Sequence, residues 1–240
     1  SDHAEYAEDT FDSAPIAHAR DFTLAVGAIL RPPGKAWFDL RSIDEFRNTE
    51  AAIHWFTKAR DVMRNYMYAS GSRFARSVQE ADRDFVTFGN SVLAITENRR
   101  GNGILFTTYH LRDCAWSEDS EGEVDTLHRR EMYTIRRINE VFGPEALQPG
   151  DDKLLDEAPF TERQLRILCM PADQWDIEEV RKLTRAYDPD NPGWVMVYID
   201  PAKTDKPLKV KWYSYFPYRV RRWEPGRGPV SATPPVAVGG

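Results

Sequence analysis

The hydrophobic pattern predicts an α+β fold, with helices in the N-terminal third and antiparallel strands after them. Three observations carry this. Up to about residue 88 the apolar residues recur at three- and four-residue steps, as Phe74, Val78, Ala81, Phe85 and Phe88 do in SRFARSVQEADRDFVTFG. After that the period shortens, and SVLAITEN (91–98) and ILFTTYH (104–110) flank the turn sequence RRGNG, a hairpin signal. Helices come first and strands follow, whereas an α/β fold would alternate them.

The elements follow in order. Asp12 or Ser13 can cap a first helix, with Ile16, Ala19, Phe22, Leu24 and Ile29 falling roughly on one side, the side expected to face the core. Pro32, Pro33 and Gly34 end it. AWFDL (36–40) reads as a short strand or an extended anchor. Alternation would then make Phe38 and Leu40 a core pair and turn Trp37 toward a second packing surface. A second helical pattern runs from Ser42 to about Ser70 and carries Phe46, Ile53, Trp55, Phe56, Val62, Met63, Tyr66 and Met67. The third, 72–89, has the stripe already given, which indicates core packing rather than a cofactor site.

CAWSED and VDTLHRRE flank SEGE as a second hairpin. MYTIRRINEVFG (132–143) predicts a short helix with Thr134 as cap and Gly143 as stop. Residues 144–160 read as a loop with one helical turn. RQLRILCM (163–170) reads as a strand, and WVMVYID (194–200) pairs with LKVKWYSYF (208–216), which YRVRRW (218–223) extends. By domain, residues 1–10 read as a flexible N-terminus. Residues 11–229 form one region, helical over 11–90 and mainly β beyond. Residues 230–240 read as a linker or truncated edge.

Of the 240 residues 41% are hydrophobic and 29% charged, which predicts a folded core. The net charge of −6 argues against a chain that wraps nucleic acid. Arg outnumbers Lys 24 to 8, which favours forked donors at interfaces. Cys114 and Cys169 lie far apart with no CxxC pair, and read as buried reduced thiols. The acidic start is unlike a signal peptide and no apolar stretch is long enough to span a bilayer, so an intracellular, soluble protein is expected.

Catalytic signatures are missing: G-x-S-x-G, GxxxxGK[ST] and H-E-x-x-H do not occur. The five histidines share no metal-ligand spacing. DPDNPG (188–193) opens like a calcium loop, but Pro192 and Ile199 fall where oxygen donors are needed, so it reads as a rigid turn. The five carboxylates of WSEDSEGEVD (116–125) surround a turn and read as a solvated hairpin. YRVRRWEPGR (218–227) is the best nucleic-acid candidate, since Arg binds phosphate and Trp223 can stack on a base. Strand geometry turns Arg219 and Arg221 one way and Arg222 the other, which favours a structural or interface role. No catalytic residue, metal or cofactor is expected.

Five stretches in order resemble the portal, or head-to-tail connector, proteins of short-tailed bacteriophages. They are FDSAP (11–15), LRPPGKAWFDL (30–40), SRFARSVQEADRDFVTFGNSVLAI (72–95), SEDSEGEVDTLHRRE (117–131) and FPYRVRRWEPGRGP (216–229). The resemblance covers about residues 10–230 and implies the wing-like N-terminal portion of such a protein. In the family the segment like RWEPGRGP leads into stem, clip and crown elements; here it passes into VSATPPVAVGG. The expectation is therefore a wing-like fragment, a truncated gene product, or a protein that uses only this part.

The resemblance further implies a structural virion protein, made in the bacterial host cytoplasm. It implies a ring, usually of twelve subunits, at one capsid vertex, through which double-stranded DNA passes without sequence-specific binding. The implied partners are further copies of the chain, the terminase, the capsid and the tail adaptor. The candidate interface residues are Trp37, Arg99, Arg100, Glu121, Glu123, Arg219, Arg221, Arg222 and Trp223, where acidic and Arg-rich edges could complement each other. The competing reading is a nucleic-acid-binding or regulatory protein using residues 218–227.

Overall fold

The computed structural model describes residues 13–32, 34–44, 49–185, 187–203, 206–223 and 230–231. It is α+β, with six α-helices, a three-stranded sheet and a six-stranded antiparallel sheet among the described residues. The chain divides into two compact units, residues 1–109 with 220–224 and residues 110–219 with 225–240.

In the first unit, α1 (Ala14–Leu30) opens with Pro15 in its first turn, where the missing N–H costs nothing. Ser13 stands at the N-cap without a side-chain capping bond, and Asp12 and Pro33 lie outside the described residues. Residues 34 and 35 make a turn, and residues 36–40 form no helix and join no sheet. Without a ladder nothing enforces two-residue alternation, and the expected Phe38–Leu40 core pair gives way to Trp37. Its ring stacks on Phe74 at 6.0 Å, and its Nε1 donates to the Tyr68 hydroxyl at 3.2 Å.

The second helix, α2 (Glu50–Tyr68), begins later than Ser42 predicts; its cap is Thr49, whose hydroxyl accepts from the Ala52 N–H at 3.3 Å. Phe46 lies outside the described residues. α3 (Phe74–Phe88) ends where Gly89 takes a left-handed φ of 74°. It buries Phe74, Ser77, Val78, Ala81 and Asp82 on one face. β1 (Asn90–Glu97) and β2 (Ile104–Tyr109) form the predicted hairpin, Val92 opposite Tyr109. Asn98 Oδ1 closes its turn by accepting from the N–H groups of Arg100 and Asn102. The core here is Phe74, Val78, Leu93 and Phe106, with Trp37 and Met67 against it.

The second unit starts with the hairpin of β3 (Cys114–Glu118) and β4 (Val124–Thr134). α4 (Ile135–Phe142) follows at once, capped by Thr134 and stopped at Gly143 as the sequence predicts. Then come α5 (Asp151–Glu157), β5 (Glu162–Pro171), α6 (Ile177–Leu183), β6 (Trp194–Ile199), β7 (Lys209–Tyr213) and β9 (Val230–Ser231), while β8 (Tyr218–Arg222) begins in this unit and has its last three residues in the first. The six-stranded order is β7-β6-β5-β4-β3-β9.

Two features differ from the sequence reading. α6 was not expected; the Asp176 carboxylate builds its cap by accepting from the Glu178 and Glu179 N–H groups. β8 does not extend the β6–β7 pair: the chain bends after Tyr213, Pro217 is buried, and β8 pairs with β1 in the other sheet. Proline cannot donate to a ladder, so the strand ends before it.

Cys114 and Cys169 are buried and unbridged. β4 runs between their strands, which sets them about 10 Å apart, beyond disulfide reach. Burial pushes the Cys169 thiol up, against a smaller opposing pull from Arg129.

Gly193 sits at φ +72°, and a Cβ there would overlap the Tyr213 carbonyl oxygen. Gly193→Ala is therefore expected to destabilise by about 1–3 kcal/mol, read as a lower urea midpoint. An unchanged midpoint would show that the β6–β7 edge yields freely.

Candidate assembly surface

α1 is amphipathic in an inverted sense. Its inward stripe is Ala19, Thr23, Val26 and Gly27, mostly small residues, and Thr23 alone is fully buried. The Thr23 hydroxyl is satisfied within the helix, donating to the Ala19 carbonyl at 2.7 Å. The bulky residues Ile16, Phe22, Leu24 and Ile29 are exposed, Ile29 to 78%. The sequence pattern assigned these side chains to the core. The fold reverses them because the small stripe lets the helix approach α3 closely: a Cβ on Gly27 would lie 3.5 Å from the Asp82 carboxylate.

α2 repeats the theme, for none of its residues is fully buried. Phe56 and Met67 turn partly inward, while Ile53, Trp55, Val62, Met63 and Tyr66 stand in the open. Twelve of the nineteen exposed large hydrophobics fall between residues 16 and 68. Apolar exposure concentrated on two consecutive helices makes them the candidate surface for meeting a partner. Isolated helices of this length gain most of their stability from covering such a face.

A groove of about 270 Å³ lies in this unit, lined by Asp39, Leu40, Arg41, Ile53, Phe56 and Thr57. Asp39 is matched by Arg60 at 3.4 Å, and Arg60 also holds Asp61 at 2.9 Å. Arg41 has no carboxylate partner among the described residues.

One ion cluster fixes the first unit internally. Asp82 is 1% exposed, and its two oxygens are taken separately by Arg31, at the end of α1, and by Arg221 of β8 at 2.9 Å. In the second unit, Arg163 clamps Asp151 through two bonds of 2.7 and 2.8 Å and reaches Asp200 at 3.4 Å. Gln148 donates to Asp200 at 2.7 Å. No sequence motif marks either cluster, because the pairs span 51, 139, 12 and 37 residues and join different elements.

The nine candidate interface residues do not converge. Trp37 is half-buried on the Phe74 cluster. Arg99 and Arg100 are exposed at the β1–β2 turn, with no carboxylate partner among the described residues. Glu121 and Glu123 are exposed at the β3–β4 turn, their N–H groups donating to the Asp119 carboxylate at 2.8 and 3.0 Å. Arg219 is exposed and donates to the Phe216 and Tyr218 carbonyls. Arg221 faces Asp82, and Arg222 is half-buried. Trp223 is 65% exposed and leans on Phe85 at 5.4 Å. The guanidinium of Arg221 is taken up by an ion pair inside its own unit.

Among the described residues, no three His, Cys, Asp or Glu side chains group as metal ligands would. Among the same residues, no helix is long and apolar enough to cross a membrane. A family model described as bacteriophage head to tail connecting protein matches residues 1–237. No curated protein is similar enough to the chain to match.

Proposed function

From the premise that the chain belongs to the bacteriophage head-to-tail connecting protein family, we propose that copies of it assemble side by side at the capsid vertex. The assembly is a ring, twelve-fold in the form the resemblance implies, and phage DNA passes through it during packaging and ejection. Its neighbours in the virion are the capsid and tail adaptor, and the terminase engages it while DNA enters. The role is structural, not catalytic.

One observation carries this reading: the bulky faces of α1 and α2 are bare in the single chain. A ring covers such faces, because heterologous contacts bury a different surface on each side of every subunit. The charge agrees with it. DNA that must slide is slowed by dense phosphate contacts, and a net charge of −6 with many internally paired arginines avoids them.

Light scattering on the purified chain, paired with electron microscopy, tests the proposal. A mass several times that of one chain, with rings in the images, is the expected result. A monomer at every concentration would overturn it. Tight, strongly salt-dependent binding of a short duplex would instead favour the nucleic-acid reading.

A further inference from the structure

Phe160 is the most exposed aromatic among the described residues, at 70%. It does not hang on a loose loop. The Pro159 carbonyl accepts from the Arg136 N–H at 3.1 Å, and the Thr161 carbonyl accepts from the Ile135 N–H at 2.9 Å. Both are N–H groups of the first turn of α4, which has no intrahelical acceptor for them. The Thr161 N–H and hydroxyl both donate to the Ala158 carbonyl, at 3.0 and 2.9 Å. The turn 158–161 is thus tied to a helix end and presents its aromatic ring outward. Its chain neighbours Asp156, Glu157 and Glu162 are exposed carboxylates; Glu157 has a distant lysine partner at 3.8 Å, whereas Asp156 and Glu162 have no cationic partner among the described residues.

The groove of the first unit has the opposite character. Leu40, Ile53 and Phe56 line it, and Arg41 beside them has no carboxylate partner among the described residues. At about 270 Å³ it is smaller than the usual small-ligand site and suits one large side chain. An aromatic ring beside carboxylates matches an apolar slot beside a guanidinium in both shape and sign.

We propose that Phe160 of one copy seats in the Leu40–Ile53–Phe56 groove of a second copy, with Glu162 or Asp156 meeting Arg41. This rests on the assembly reading above and names its contact. Knob and groove are built from different residues, so the contact is heterologous: each copy gives one and receives one, the arrangement that propagates around a ring. Rigid presentation lowers the ordering cost of the contact.

The test uses the full chain with Phe160→Asp and Ile53→Asp, each checked for folding by circular dichroism. Each variant alone is expected to lose association by about thirtyfold, the effect of removing an interface anchor. Mixed one to one, they should form a one-to-one complex and nothing larger, because each supplies the half the other lacks. If both variants associate like the parent chain, the knob-and-groove contact is wrong while assembly stands. If each fails alone but the mixture yields no pairs, the two sites do not meet and the proposal falls. If the parent chain is monomeric throughout, the assembly reading falls and takes the contact with it.

Discussion

Asp82→Ala is expected to destabilise the protein by about 3–5 kcal/mol, the cost of removing one partner from a buried ion cluster. The substitution leaves two guanidiniums, Arg31 and Arg221, facing each other with no intervening charge. It also removes the tie between α1 and α3 at the place where Gly27 comes closest to the carboxylate. Asp82→Asn keeps the shape without the charge and should recover only part of the loss. Urea unfolding of the full chain reads both. A midpoint unchanged in the alanine variant would mean that the cluster balances its own desolvation and adds nothing. The same geometry bears on Arg221: reversing its charge would set a carboxylate against buried Asp82, so it perturbs the fold before it reports on any interface.

The second large effect is an acid one. Burial alone pushes the Asp151 carboxyl up, but hydrogen bonds from Arg163 and the Gln148 N–H, with the Arg163 charge, hold it below its ordinary value of 3.8. A carboxyl depressed in the folded state stabilises fully above its unfolded value, and that contribution drains away as pH falls through the lower folded value. Arg163→Ala removes the clamp and leaves Asp151 and Asp200 buried with little compensation. The expected result is a loss of about 3–5 kcal/mol at neutral pH and an acid transition that begins at higher pH than in the parent. Circular dichroism against pH would show it. Superimposable acid curves would rule out the clamp as a stabilising element.

The readable parts of the fold were those written in adjacent residues. RRGNG and SEGE announce their hairpins because Gly101 and Gly122 supply φ of 69° and 86°. Thr134 and Gly143 mark the ends of α4 for equally local reasons. The inward face of α1 was hidden because Ala19, Thr23 and Gly27 give a weak hydrophobic signal, whereas Ile16, Phe22 and Ile29 give a strong one on the wrong side. For the same reason the exposure of the bulky faces of α1 and α2 was missed: spacing says that a helix has an apolar stripe, but not what covers it. The partner of β8 and the ion clusters were beyond reach, since pairing between residues on different elements leaves no periodicity to detect.

The pairing of β8 with β1 also has a consequence for synthesis on the ribosome. Arg221 lies 139 residues after Asp82, and residues 110–219 of the second unit are made between them. At ordinary elongation rates that interval is on the order of ten seconds. Through it the nascent first unit holds an unpaired strand edge on β1 and a carboxylate with only one of its two cations. The inserted unit can complete its β4–β5–β6 ladder before the first unit can close. A chain that stalls anywhere in that interval therefore leaves the earlier-made half unfinished.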